Sequence, residues 1–368
     1  MRKKKVALIF GGRSGEHIVS LMSAASVMKE IDRDKYEIFP VGITREGKWL
    51  TSDDIWQTLW ENKSYDRAYQ LLLKTDPKSP GFWIQVGTAN KASECLQIDI
   101  AFPLLHGPYG EDGTIQGLLE MIGIPYVGSG VLASSLGMDK VIMKTLFREA
   151  GLPVVPFVSF DRTQWMMDKK GCMENVGPKI GYPCFVKPAN LGSSVGISKV
   201  NEGHTLKAAI EEAFLYDEKI IIEAFADGRE IECSVIGDLE VEASLPGEII
   251  PGHDFYSYNA KYVDDTTKLI IPANLEDDII KKVQEYSCKA FRVINGSGLA
   301  RVDFFVKTSQ NKLWVNEINT IPGFTKISMY PKLWEASGLS YKELINRLLQ
   351  VAETRFKRRR ALRFTPPE

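Results

Sequence analysis

Two segments late in the chain, Leu299-Ala-Arg-Val-Asp-Phe-Phe-Val306 and Leu313-Trp-Val-Asn-Glu-Ile-Asn319, mix charged and apolar residues at a spacing that suits a β-hairpin. Side chains alternate faces along a strand, so Arg301 and Asp303 share one face while Ala300, Val302, Phe304 and Val306 take the other. Glu317 and Asn319 likewise share a face. If the hairpin turns about Gln310, Asp303 lies opposite Glu317 and Arg301 opposite Asn319. Directly paired residues stand about 4.5–5.5 Å apart, a separation at which two carboxylates repel unless cations lie between them. Two carboxylates and an amide oxygen, with positions left for phosphate oxygens and water, match magnesium rather than zinc. The alternative is a solvated polar strand face. The next turn, Thr320-Ile-Pro-Gly-Phe324, brings the Gly323 N–H within reach of the same face, where with Arg301 it would hold a tetrahedral oxyanion.

A second stretch suits a phosphate. In Phe185-Val-Lys-Pro-Ala-Asn-Leu-Gly-Ser-Ser-Val-Gly-Ile-Ser198 an apolar strand delivers Lys187, opens at Gly192-Ser-Ser194 and resumes at Val195-Gly-Ile197. The small residues let several N–H groups turn toward one anion beside the lysine. A plain turn is the competing interpretation, and the spacing is not that of a Walker loop. Downstream, Ile220-Ile-Ile-Glu-Ala-Phe-Ala226 is expected to end as an edge whose backbone and Glu223 carboxylate offer the polarity an adenine needs.

At the start, Val6 to Phe10 is an all-apolar run of the kind buried in a parallel sheet, and it breaks at Gly11-Gly12. Ile18, Leu21, Met22, Ala25 and Met28 then recur at helical spacing. Glu16, at the strand-to-helix turn, suits either a ligand ammonium or the helix dipole. Tyr36 to Ile43 is expected as a strand, residues 52 to 92 as a decorated insertion without a clean period, and Ile98 to Leu105 as a strand delivering His106 to a ligand or to the core. Lys140 opens a helix running to Ala150, against the dipole preference, which suggests an external anion. Phe255 to Tyr262 reads as a flexible segment able to fold over ligands, with Lys261 reaching a terminal phosphate.

A chain of 368 residues has room for two or three cores, and three lobes are expected. With 46 basic and 47 acidic residues the net charge is −1, so nothing suggests a nucleic-acid binder. The run Lys357-Arg-Arg-Arg360 is read as a solvated terminus. Five scattered cysteines without a C-x-x-C pair indicate neither a disulfide framework nor zinc, and a reducing cytoplasm fits. The basic head of the sequence precedes too short an apolar run for a signal peptide, and no run approaches the roughly 18 residues of a membrane span.

In order, Gly11-Gly-Arg-Ser-Gly-Glu16, His106-Gly-Pro-Tyr-Gly-Glu-Asp-Gly113, Gly192-Ser-Ser-Val-Gly196, Ala260-Lys-Tyr262, Ala300-Arg-Val-Asp303 and Asn316-Glu-Ile-Asn-Thr-Ile-Pro-Gly323 resemble the ATP-grasp superfamily and, within it, the D-alanine-D-alanine ligase family over about residues 4 to 355. The resemblance implies an α/β fold, α+β in its later lobes. An N-terminal Rossmann-like parallel-sheet domain would occupy 1–135 and a central ATP-grasp subdomain 136–226. A C-terminal subdomain would occupy 227–356, with a mobile loop at about 250–270 and a basic tail at 357–368. It implies an ATP-dependent ligase of peptidoglycan precursor synthesis, cytoplasmic and homodimeric. In such an enzyme one D-alanine carboxylate attacks the γ-phosphate, and the amine of a second D-alanine displaces the acyl phosphate.

By the same resemblance Asp303, Glu317 and Asn319 hold two magnesium or manganese ions, and Lys140, Lys187, Ser194 and Lys261 hold phosphates. Glu223, Ala224, Phe225, Ala226 and Glu230 bind adenine and ribose. Glu16, with Val19 and His106, receives the first D-alanine; Ser193 and Tyr262 join Glu16 in a hydrogen-bonded set. Arg301 and Gly323 stabilise the intermediate, and Ser328 and Met329 receive the second carboxylate. The family commonly has a second glutamate after His17, where this chain has Ile18. Tyr262 favours peptide over D-alanine-D-lactate ester formation. The rival readings are another ATP-grasp ligation and a nucleotide-binding protein without catalysis; a Rossmann dehydrogenase lacks its glycine fingerprint.

Overall fold

The computed structural model describes residues 2–85, 92–193, 195–250 and 267–363. Three sheets organise them. In the first, Lys4–Gly11 lies between Tyr36–Ile43 and Ile100–Pro103, parallel to both. Val6 through Phe10 are fully buried because both faces are covered. Val6, Leu8 and Phe10 pack with Leu21, Ala24 and Val27 of the helix His17–Glu30 and with Leu344, Ile345 and Leu348 of the C-terminal helix Tyr341–Arg360. Ala7 and Ile9 pack on Ile115 and Leu119 of Thr114–Ile122.

The first sheet is larger than its parallel part. Trp49–Thr51, Tyr69–Lys74, Gly81–Gln85 and Ala92–Gln97 extend it as antiparallel strands. Residues 52 to 92, expected as a decorated insertion without a clean period, supply the short helix Ile55–Trp60 and the sheet strands Tyr69–Lys74 and Gly81–Gln85. Their strands show no clean alternation because like positions follow one another, exposed at Tyr69 and Gln70 and half-buried at Leu73 and Lys74.

The second sheet runs Ser198–Val200, Cys184–Pro188, Lys219–Ala224, Phe157–Asp161, all antiparallel, and has its own core against the helix Leu206–Ala213. The strand after the small-residue loop resumes at Ser198, not Val195. Lys219–Ala224, expected to end as an edge, is instead paired on both sides: even beyond it, Phe225 N donates to Pro183 O.

The third sheet runs Lys268–Ile270, Gly247–Ile250, Arg229–Gly237, Gly298–Lys307, Lys312–Asn319, with Val241–Ala243 on its flank. The helix Asp277–Val293 covers its apolar face. Asp303 pairs with Glu317 and Arg301 with Asn319, as the alternation predicts. A bulge then places Phe304 opposite Val315 and leaves Asn316 as the extra residue, so the turn falls at Thr308–Gln310 with Asn311 left-handed, φ 49°. The bulge reverses the phase of the strand: Leu313, Val315 and Ile318 are buried while Glu317 and Asn319 face the cleft.

Candidate active site

Two adjoining cavities, about 660 and 440 Å³, open between the sheets, and both are lined by Lys140, Ser193, Glu232, Arg301 and Glu317. The smaller runs along Lys187, Glu223, Ala224, Phe225, Ala226, Glu230 and Asp303. Glu16, Val19, His106, Asn319, Gly323, Ser328 and Met329 line the larger. Ser194, Lys261 and Tyr262, and with the last two most of the loop expected at about 250–270, lie outside the described residues.

Between the lobes, Ser193 Oγ donates a hydrogen bond to Glu16 Oε1. Ser193 adopts φ 52°, a left-handed conformation uncommon for a residue with a Cβ. Gly107 makes room for Glu16: it has φ 74°, and a Cβ there would meet Glu16 Oε2 at 2.6 Å. The helix behind Glu16 buries Leu21, Ala24 and Val27 and turns Met22 toward the larger cavity, so the expected stripe through Ile18 and Met22 is not its core face.

His106 is 3% exposed and uses both ring nitrogens internally. A carbonyl only accepts, so Nδ1–H donates to Ile321 O at 2.9 Å; burial lowers the pKa, leaving Nε2 to accept from Ser23 Oγ at 3.0 Å. Ser23 Oγ in turn accepts from Phe324 N. His106 thus reaches the substrate side as a strap on the turn carrying Gly323. Glu111 straps the same turn, accepting from Ile321 N at 3.1 Å and from Gly107 N at 2.7 Å. Burial, with Glu16 nearby, pushes its carboxyl up to about 8.

Beside the smaller cavity, the Glu223 carboxylate lies between two lysines, Lys144 at 2.6 Å and Lys187 at 2.5 Å. Burial alone would raise its pKa; the two cations overcome this and lower it. The side chain expected to face adenine is thus an internal counter-ion that fixes Lys187. Burial lowers the pKa of Lys144, whereas Glu223 outweighs burial at Lys187 and raises it. We take the shared carboxylate as ionised, because two cations face it. Lys140 donates to Leu191 O at 2.7 Å and stands 4.0 Å from Glu317.

At the hairpin, Arg301 Nε and Nη2 each donate to Asp303 at 2.7 Å, and Asn319 Nδ2 donates to the same carboxylate at 3.0 Å. The donor set fits a hard divalent cation: Asp303 and Glu317 are direct cross-strand neighbours, all the ligating atoms would be oxygens, and Arg301 and Lys140 supply the positive charge there. Sequence reasoning missed Lys144, Glu111 and Glu232. Their signals were a lysine one helical turn past Lys140, an acid inside the His106–Gly113 motif, and an acid two strand positions past Glu230.

The family models described as "D-ala D-ala ligase N-terminus" and "D-ala D-ala ligase C-terminus" match residues 5–129 and 146–350. A D-alanine–D-alanine ligase of Natranaerobius thermophilus is 47% identical over 355 residues, 96% of each chain. That of Bacillus cytotoxicus is 45% identical over 365 residues, covering 99% of this chain and 100% of the relative. Among solved structures, the VanG D-Ala:D-Ser ligase of Enterococcus faecalis superposes with a TM-score of 0.85 at 36% identity, over 95% of this chain and all of the other. The D-alanine-D-alanine ligase of Coxiella burnetii gives 0.85 at 35%, over 98% and 97%. Sequence, fold and the chemistry of the cleft agree across the length of the chain, which belongs to the D-alanine–D-alanine ligase family.

Proposed function

We infer that this chain joins two D-alanine molecules into D-alanyl-D-alanine at the expense of ATP, for peptidoglycan synthesis. The observation that carries it is the shared wall of the two cavities, where Lys140, Ser193, Arg301 and Glu317 face both. A nucleotide in the smaller cavity presents its terminal phosphate across that wall to an amino acid in the larger. Glu16 binds the first ammonium, and Lys140 and Lys187 hold phosphate oxygens. The carboxylate oxygen attacks the γ-phosphorus, the bond to the β-bridging oxygen breaks, and ADP leaves. The second amine, having lost a proton, attacks the acyl carbon; Arg301 and the Gly323 N–H stabilise the oxyanion before inorganic phosphate departs. Ser328 and Met329 receive the second carboxylate.

Asp303, Glu317 and Asn319 would hold two magnesium or manganese ions, which when bound neutralise charge on the transferring phosphoryl group. Among the described residues no helix is long and apolar enough to cross a membrane, and the five cysteines are unpaired. A cytoplasmic homodimer is part of the same reading, checked by cell fractionation and light scattering. The deciding experiment is a mass spectrum of the product formed from ATP, magnesium and D-alanine. D-Alanyl-D-alanine with equimolar ADP is expected. ADP release only with D-lactate, D-serine or L-amino acids would reject the substrate assignment.

A further inference from the structure

Glu232 has no part in the steps above, yet it is 5% exposed and lines both cavities. Alternation along Arg229–Gly237 sets it opposite the core residues Ile231, Cys233 and Val235. Its cross-strand neighbour is Asp303, whose neighbour on the other side is Glu317, so three carboxylates stand abreast on adjacent strands. Arg301, from the next row, reaches between two of them. Its Nε is 2.9 Å from Glu232 Oε2, an ion pair without a hydrogen bond, while the Nε and Nη2 hydrogens go to Asp303.

A divalent ion on Asp303 and Glu317 would take lone pairs from Asp303 and repel the guanidinium. An anchor on the far side of Asp303 then decides where Arg301 goes, and Glu232 occupies that side. We propose that Glu232 is a positioning residue for the ligation: it holds the Arg301 guanidinium toward the amino-acid cavity once a metal ion engages Asp303. The proposal rests on the ligase reading and on the role given there to Arg301. A charged acceptor at Glu232 lets Arg301 release Asp303 to the ion without becoming an unpaired buried cation. Residues that orient a metal ligand's surroundings typically contribute 10- to 100-fold.

The test is Glu232→Gln in the full-length enzyme, with Arg301→Met alongside. For E232Q, kcat should fall about 10- to 100-fold while the KM for ATP changes less than about threefold. Calorimetric titration of ADP at a series of magnesium concentrations gives a readout without turnover. The magnesium needed for half-maximal ADP affinity should rise several-fold, because Arg301 now competes for Asp303. Should E232Q prove too unstable to purify, Glu232→Ser is measured the same way. Unchanged kcat and magnesium dependence, beside an inactive R301M, would overturn the role of Glu232 and leave the ligase reading standing. A normally active R301M would overturn the role of Arg301 and with it this one. Loss of the ligase reading itself shows separately, in the wild-type product.

Discussion

Ser193 donates a hydrogen bond from its hydroxyl to the carboxylate of Glu16, tying the loop of the central sheet to the first helix of the N-terminal sheet. The bond orders both partners before substrate arrives. A hydrogen bond to a charged group contributes about 1.5–3 kcal/mol, so Ser193→Ala should lower kcat/KM for the first D-alanine about 10- to 150-fold. Initial rates of ADP release against D-alanine concentration check this; a change below threefold would refute the link.

Asp303 receives Arg301 and Asn319 and stands beside Glu317. Asp303→Asn keeps the size but removes the charge an ion needs. Turnover should fall more than about 100-fold, above the effect usual for groups behind a metal ligand. Magnesium-dependent ADP binding should weaken in calorimetry, and retention of both would end the metal assignment.

Lys144 is 1% exposed and faces Glu223. Removing one partner of a buried ion pair costs about 3–5 kcal/mol. Lys144→Met should destabilise by that order in urea unfolding, and adding Glu223→Gln should return part of the loss. A change under 1 kcal/mol would show that Lys187 alone neutralises the carboxylate.

Glu111 titrates upward, to about 8. For an acid raised on folding, the stabilising contribution is fully present below the unfolded pKa near 4.5 and is lost as pH rises toward 8. Glu111→Gln imitates the protonated form without titrating. Between pH 5 and pH 8 the wild-type Tm should therefore fall relative to that of E111Q; parallel curves would mean that the two N–H bonds keep Glu111 ionised throughout.

The hairpin was legible because period-two alternation fixes which residues share a face, and Asp303 and Glu317 came together as the spacing required. The first strand was legible for a related reason, since burial on both faces leaves an unbroken apolar run. Residues 69–74 and 81–85 were not, because their exposed, half-buried and buried positions do not alternate with period two. Nor does a sequence say where a charged residue's partner sits. Glu223 read as a strand-edge carboxylate offered to adenine, and only folding sets Lys144 and Lys187 against it. His106 read as a ligand or a core residue, and its two internal bonds show that it braces the turn before Gly323.

The extra residue at Asn316 has a consequence for how this hairpin tolerates change. It acts as a frameshift within one strand: Leu313 and Val315 before it and Ile318 after it all meet the apolar layer although they do not share one parity. Straightening the strand without shortening it would put Glu317 and Asn319 in phase with Leu313 and Val315 and swing them inward, although every acid would remain in the sequence, whereas deleting Asn316 would leave them facing the cleft. Lengthening the tip at Thr308–Asn311 would leave them where they are.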